Sequence, residues 1–257
     1  MDNTISVCNK FLNVLKFNIL KFNIFINWKK NYEEKLVDCF KKLNSTSDPL
    51  VVKKGEMMPC NNIYLTKQRV CLILVWSADI DKGCKSRGLG FYLGYGNVVT
   101  AKHVLENYYC HENDNIYILF PTFENILIYK AQNHHKLLNY DIAFIGLQGC
   151  LDPLQNIKVE IGRLCEHDEL HFDILESGCF VTKYCKIEIP NTNMRNQMSP
   201  EEFIISKAGK NGDSGTPIFS SSGTCVGIYI GVFESIGSSN PLKYGRVLKL
   251  DNILNIS

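Results

Sequence analysis

The chain has 257 residues, a formal net charge of +2 and 45% hydrophobic residues, which is the composition of an ordinary globular protein. This composition excludes a disordered chain and a fibrous repeat, and the balanced charge argues against nucleic acid as a partner. No apolar run reaches the length that a membrane-spanning helix requires.

The first sixty residues are more basic than the rest of the chain, with ten lysines against six acidic residues. Within them, the apolar residues of 11–28 recur at helical spacing, although the last ones also alternate as in a strand. We favour a helix that packs on the following domain. Contact of this segment with a membrane or a partner, and a removable pro-segment, are the alternatives. Residues 1–60 are therefore predicted to form a basic, mostly helical N-terminal extension.

The cysteines and the N-terminus bear on the cellular compartment. The chain has 11 cysteines, an odd number, so a fully disulfide-paired monomer is excluded. Lys16, Asn18 and Lys21 interrupt the apolar stretch that a secretory signal would need to be continuous. We therefore predict an intracellular, cytoplasmic protein that is not secreted and whose thiols are mostly reduced.

After a turn at 44–49, the sequence consists of short apolar runs bounded by Gly, Asn and Asp, a pattern typical of strands. The predicted strands are 70–76, 90–93, 98–100, 116–120, 126–129 and 142–147, then 180–182, 185–189, 203–206, 217–219, 225–232 and 246–250. A connector near 149–160 separates the two sets of six. The predicted fold is all-β, with two tandem six-stranded antiparallel β-barrels over 61–152 and 153–257.

Three short pieces carry residues suited to catalysis. The first ends a predicted strand with Thr100-Ala101-Lys102-His103. The second places Asp141 directly before an apolar strand, and the third places Ser214 in the glycine-flanked loop 211–217. Each piece alone is common, but the three together at strand edges are hard to obtain by chance.

These residue types form a complete set for nucleophilic catalysis. A serine hydroxyl needs a base during attack, and histidine has a suitable pKa. A carboxylate behind the imidazole fixes its tautomer and stabilises the cation. We predict His103 as base, Asp141 as orienting residue and Ser214 as nucleophile, with the backbone amides of Gly212 and Ser214 as the oxyanion hole.

The three motifs resemble those of the chymotrypsin/trypsin-like serine protease superfamily, over about residues 65–257. The resemblance implies a double β-barrel with the active site in the cleft between the barrels. It also implies acyl-enzyme chemistry on a protein substrate with no cofactor.

Two features indicate the branch of the superfamily. Val104 follows the predicted catalytic histidine where secreted digestive members have a disulfide cysteine, and no Ile-Val-Gly-Gly activation segment is present. In these respects the chain is most similar to viral polyprotein-processing proteases and bacterial glutamyl endopeptidases. The resemblance implies a viral processing protease that cleaves few sites, in a polyprotein and in its own chain.

The specificity pocket departs from those relatives. Tyr229 stands where they have a histidine that binds Gln or Glu, and Gly209 replaces an assisting threonine. Ala208, at the pocket base, carries no charge for Lys or Arg. We therefore predict an uncharged residue before the scissile bond. Tyr229, Ile230 and Gly231 are expected to hydrogen-bond the substrate as an added strand.

Other functions fit the sequence less well. A binding module on a protease fold, catalytically silent despite its triad, is the main alternative, because fold does not imply activity. A broad quality-control protease of the bacterial heat-shock type usually has additional domains after the barrels. Cys165, His167 and His171 form only a weak zinc motif, so we expect reduced thiols and no metal there.

Overall fold

The computed structural model describes residues 34–46, 48–53, 70–106, 114–122, 125–136, 139–149, 154, 159–165, 168–176, 179–234, 242–251 and 253–254. The helix predicted within 11–28 lies outside these ranges. Among the described residues, no helix has the length and apolar character needed to cross a membrane.

The first barrel is a closed antiparallel sheet. Its strands are β1 (Leu50–Lys53), β2 (Cys71–Trp76), β3 (Cys84–Gly94), β4 (Asn97–Thr100), β5 (Asn115–Pro121), β6 (Asn125–Lys136) and β7 (Ala143–Leu147). Strand β2 pairs with β3 and β5, β3 with β4, β4 with β7, and β7 with β6, which pairs back to β5. These six strands thus form a closed barrel, and β1 pairs with the first four residues of β6.

Helix α1, at 34–43, packs on the outside of this barrel together with β1. Leu36, Phe40 and Leu43 fall on one helical face, and all three side chains are buried. The Phe40 ring stacks on Tyr117 at 3.7 Å between centroids and meets the Trp76 ring edge-on at 5.0 Å. The part of the predicted extension that the structure describes is therefore an outer layer of the first barrel.

The strands of the second barrel are β8 (Leu170–Glu176), β9 (Cys179–Cys185), β10 (Ile187–Glu188), β11 (Glu202–Ile205), β12 (Pro217–Ser220), β13 (Cys225–Glu234) and β14 (Lys243–Lys249). The sheet order is β10-β11-β14-β13-β12-β8-β9. Only Lys186 separates β9 from β10, so the two form one bent strand and the barrel has six strands. The bent strand pairs with β8 through β9 and with β11 through β10, which closes the sheet.

The predicted double barrel is confirmed, but three details of the strand prediction were wrong. The first is β1, which was not predicted and whose residues were assigned to the mostly helical extension. The runs 180–182 and 185–189, predicted as separate strands, are the halves of one bent strand. Strand β8 was not predicted, although Leu170, Phe172 and Ile174 alternate with His171 and Asp173 as in a half-buried strand. The Asp173 carboxylate is nevertheless buried, and it accepts a hydrogen bond from the Thr182 hydroxyl at 2.9 Å.

The two barrels share apolar core. One cluster of buried side chains contains Tyr92 and Ala143 of the first barrel together with Phe219, Ile228 and Leu248 of the second. Burial of this shared surface holds the barrels against each other. Residues on the facing edges of the two barrels are therefore held in a defined relative position.

Candidate active site

His103 lies in the first turn of a short helix, α2 (Lys102–Glu106), that directly follows β4. Thr100, the last residue of β4, is fully buried, and its hydroxyl donates to the Leu89 carbonyl at 2.7 Å. This hydrogen bond ties the end of β4 to β3, so the start of the helix is fixed. The His103 side chain is 28% exposed and can therefore be reached from solvent.

Asp141 precedes β7 and contacts His103 twice. Its Oδ2 lies 2.6 Å from His103 Nδ1, and its Oδ1 accepts the His103 backbone N–H at 3.0 Å. Burial by itself would raise the pKa of Asp141, but the hydrogen bonds and charge of His103 outweigh it and hold the pKa below its ordinary value. An ionised carboxylate can only accept, so Nδ1 carries the proton and Nε2 is the basic nitrogen of the neutral ring.

Ser214 lies in a tight turn between β11 and β12, flanked by Gly212 (φ +97°) and Gly215 (φ +90°). Residues with a side chain rarely adopt these positive φ angles, so glycine is favoured at both positions. A Cβ on Gly215 would also collide with the Leu89 carbonyl and the Thr100 hydroxyl. The Gly215 N–H donates to the Tyr229 carbonyl at 2.8 Å, which fixes the turn against β13.

Strand β3 connects the serine turn to the histidine helix. The Leu89 N–H donates to the Ser214 carbonyl at 2.8 Å, across the barrel interface. At Gly88, a Cβ would lie 3.0 Å from the same carbonyl oxygen and 2.5 Å from Cγ2 of Val104, the neighbour of His103. Both predicted catalytic elements therefore pack against the same two residues of β3, and the three motifs meet at the barrel interface.

The contacts of Gly88 and Leu89 were not foreseen from the sequence, although the alternation Gly88-Leu89-Gly90 was a usable signal. Glycine in the interior of a strand often marks a close approach of another backbone. Val104 is 2% exposed and lies against Gly88, in the position where the secreted digestive members of the resembled superfamily have a cysteine. Apolar packing thus takes the place of a covalent link.

The two predicted oxyanion-hole amides have no protein acceptor. Across the residues that the structure describes, neither the Gly212 N–H nor the Ser214 N–H donates a hydrogen bond to another group of the chain. Both amides flank Asp213 in one turn, which is closed by the Asp213 N–H donating to the Lys210 carbonyl at 3.0 Å. The two donors are therefore available to an oxygen atom of a ligand.

Asp213 stabilises the serine turn from inside. Its side chain is buried, and Oδ2 accepts the Lys210 N–H at 2.7 Å. This hydrogen bond from the backbone of the turn partly offsets the free-energy cost of burying the carboxylate.

Tyr229 lies beside Gly209, and its hydroxyl is engaged within the protein. The Gly209 N–H donates to the Tyr229 hydroxyl at 2.8 Å, and the tyrosine ring stacks on Phe172 with centroids 5.9 Å apart. Burial is the main reason that the pKa of Tyr229 is raised to about 12. The ring therefore presents an uncharged surface next to the serine turn.

The other predicted substrate-binding residues line the same region. Ala208 is half-buried before Gly209, and Ile230 is buried in the interface cluster. At Gly231, no atom lies within 4 Å of the position of a Cβ, so the strand is open on that side. A shift of register between Tyr229 and Gly231 in the pairing of β13 with β14 accompanies this opening.

The described part of the chain contains no group of three or more His, Cys, Asp or Glu side chains arranged to hold a metal ion. Cys165 is exposed, and the His171 ring stacks on Phe219 at 5.5 Å between centroids. His167, the remaining member of the weak zinc motif, lies outside the described residues.

The sequence matches no protein-family model and no curated protein. Its fold is similar to that of solved serine proteases of the chymotrypsin type. The Rv3671c protease from M. tuberculosis, in its active form, has a TM-score of 0.52 and 16% identity, covering 79% of this chain and 86% of that chain. Deg5 has a TM-score of 0.55 and 13% identity, covering 74% and 87%.

At such low identity, the similarity shows the fold and leaves the activity open. The chain has the double-barrel fold of the chymotrypsin/trypsin-like serine proteases, and the resemblance predicted from its motifs is confirmed at this level.

Proposed function

We propose that this chain is a serine endopeptidase in which His103 is the general base, Asp141 orients it and Ser214 is the nucleophile. The observation that carries the proposal is the double contact of Asp141 with His103, at 2.6 Å to the ring and 3.0 Å to the backbone. A structural histidine needs no partner that holds both its ring tautomer and its backbone. The 2.8 Å hydrogen bond from Leu89 to Ser214 supports the same assignment, because it ties the serine turn to the barrel of the histidine.

The proposed reaction follows from the protonation state of the pair. Ser214 Oγ attacks the carbonyl carbon of the scissile bond while its proton passes to His103 Nε2. Negative charge develops on the carbonyl oxygen, and the Gly212 and Ser214 amides would donate to it. His103 then protonates the leaving amine, which leaves an acyl group on Ser214. Water, activated by the same histidine, hydrolyses this ester.

The pocket supports a preference for an uncharged residue before the scissile bond. The resemblance assigns Tyr229 to the specificity pocket, and a Cβ on Gly209 would be 3.0 Å from its ring. The neutral hydroxyl accepts from Gly209, and the Asp213 carboxylate that lies against the same glycine is engaged by the Lys210 N–H. The open side of Gly231 would let the substrate pair with β13 as an added strand.

From the sequence resemblance we further propose a cytoplasmic processing role, with cleavage of few sites in a polyprotein and in the chain itself. Intact-mass measurement of the purified protein tests the last point, because self-cleavage would remove a defined mass.

Labelling with a fluorophosphonate tests the proposed nucleophile. We expect one adduct per chain that maps to Ser214, and none in Ser214→Ala. The labelling rate should fall by several orders of magnitude in His103→Ala and about 10⁴-fold in Asp141→Asn, which lacks the acceptor that fixes the ring tautomer. Asp81→Asn, an exposed carboxylate in a surface ion pair, is the matched control and should react like the unmodified chain.

The rival function, a catalytically silent module on this fold, predicts no adduct on a folded protein. A chain that lacks residues 1–33 separates an inert site from a blocked one, since labelling that appears only after the deletion marks a latent enzyme. Removal of residues 1–60 would be a poor test, because it would also take away α1 and β1 and expose the surface of Tyr117 and Trp76.

A further inference from the structure

Arg87 of β3 lies against the turn that carries the proposed oxyanion hole. Its Nε is 3.3 Å from the position that a Cβ on Gly212 would occupy, and its Cγ and Cδ lie within 3.9 Å of that position. The arginine stem thus rests on the bare backbone of a glycine. This places a cation beside Gly212, whose N–H is one of the two proposed oxyanion-hole donors.

The guanidinium group of Arg87 is not used by the fold. The residue is exposed, and within the described ranges no hydrogen bond or ion pair engages it. The neighbouring cation of the same strand behaves differently, because Lys85 Nζ lies 2.8 Å from the Asp114 carboxylate. An arginine with five donors that is held next to a candidate active site without a partner is suited to bind a ligand oxyanion.

The geometry indicates which half of a substrate would reach Arg87. Ser214 lies between two strands, since its neighbour Gly215 donates to Tyr229 of β13 while its own carbonyl accepts from Leu89 of β3. The residues before the scissile bond pair with β13 in the proposed binding mode. We therefore expect the residues after the bond to extend away from β13, over β3 and toward Arg87.

The charges around the serine and histidine elements favour an acidic partner. Besides Arg87, Lys102 precedes His103 in α2 and Lys210 precedes the turn of Gly212. Three carboxylates stand against these cations, and two of them are engaged within the chain, Asp141 by His103 and Asp213 by the Lys210 N–H. The third is Glu106 of α2. Among the described residues none of the three is paired with Arg87, so a substrate carboxylate would meet a cation there.

We propose that Arg87 is a specificity-determining residue that binds an Asp or Glu side chain within the first residues after the scissile bond. This inference rests on the proposed endopeptidase function. Arginine suits the role better than lysine because its planar fork can donate two parallel hydrogen bonds to one carboxylate.

The test digests a complex peptide mixture and identifies the new amino termini by mass spectrometry. The unmodified protein should produce termini enriched in Asp or Glu within their first three residues, and Arg87→Gln should not. For two matched peptides that differ by Glu or Gln at the preferred position, the ratio of kcat/KM should fall about 10- to 100-fold in Arg87→Gln, the loss of one charge-assisted hydrogen bond pair. Arg87→Glu should instead prefer Lys or Arg, and Lys82→Gln, an exposed cation of the same barrel, should keep the original ratio.

Fluorophosphonate labelling of Ser214 separates this inference from the proposed function. No labelling of the unmodified protein would overturn both. Labelling without an Arg87-dependent acidic preference would overturn the role of Arg87 alone. Loss of labelling in both Arg87 variants would also overturn it, because the arginine would then be needed to form the serine turn.

Discussion

The hydroxyl group of Tyr229 is directed into the protein, where it accepts the Gly209 N–H. The motif of the resembled proteases predicted that residues 209 and 229 lie together, but it did not predict this bond. The reason is that tyrosine is longer than the histidine it replaces and carries an acceptor at its tip. It therefore reaches the backbone of the opposite loop.

Replacement of Tyr229 by Phe should destabilise the protein and remove part of its alkaline pH dependence. The Gly209 N–H loses its acceptor, so we expect a loss of about 1–3 kcal/mol in the free energy of unfolding. The folded-state pKa of about 12 exceeds the ordinary value of 10.0, so the folded protein holds this proton more tightly. The stabilisation is fully present below pH 10 and is lost as the pH rises through 12.

Urea unfolding of the unmodified protein and Tyr229→Phe at pH 8 and pH 11 measures both effects. The difference between the two proteins should be smaller at pH 11 than at pH 8. Tyr184→Phe is the control, because that side chain is 74% exposed. Equal stability of Tyr229→Phe and the unmodified protein at pH 8 would contradict the contact.

At the scale of elements, α1 shows how a segment of the basic extension becomes part of the barrel. An isolated helix of this length is marginal in water, so its stability comes from the face that it buries. That face consists of Leu36, Phe40 and Leu43, which pack on the outer surfaces of β2, β5 and β6. Strand β1 continues the same layer by pairing with β6.

Replacement of Phe40 by Ala should lower the free energy of unfolding by about 3–5 kcal/mol, because the ring is fully buried between Tyr117 and Trp76. Chemical denaturation followed by tryptophan fluorescence measures the change. Lys41→Ala, the next residue on the helix, removes only an exposed ion pair with Asp81 and should change stability by less than about 1 kcal/mol. Equal stability of the two variants would show that α1 does not pack on the barrel in solution.

At the scale of the whole molecule, two closed barrels protect several thiols from solvent. Cys71 and Cys225 are fully buried, and burial raises the pKa of both, to about 12 for Cys225. Cys185 is also buried, with its pKa raised to about 12, whereas Cys165 is exposed. Within the part of the chain that the structure describes, these four cysteines are free.

The reactivity of the thiols therefore reports on the barrel packing. Iodoacetamide at pH 8 should modify Cys165 in the folded protein within minutes, while Cys71, Cys185 and Cys225 should react only after denaturation, because the thiolate is the nucleophile. Peptide mapping by mass spectrometry, with the denatured protein as control, identifies the modified residues. Rapid modification of Cys71 or Cys225 in the folded state would contradict the closed barrels.

The sequence by itself determined the class of fold and the three residues proposed for catalysis. Short apolar runs indicate strands because alternate side chains face one side, and this signal is local. His103, Asp141 and Ser214 stand in short motifs whose residue types have chemical reasons, so they could be recognised before the pieces were brought together. The oxyanion-hole glycine was likewise indicated by its place in the turn.

Only the tertiary structure decided how these pieces meet. The contacts of Leu89 with Ser214, of Tyr229 with Gly209 and of Arg87 with Gly212 each join residues far apart in the sequence. The burial of Asp173 in β8 likewise depends on Thr182, which lies on another strand and donates its hydroxyl to that carboxylate. Local sequence patterns indicate which face of a strand is apolar. Contacts between distant residues depend instead on the closure of the barrels and on the register between their strands.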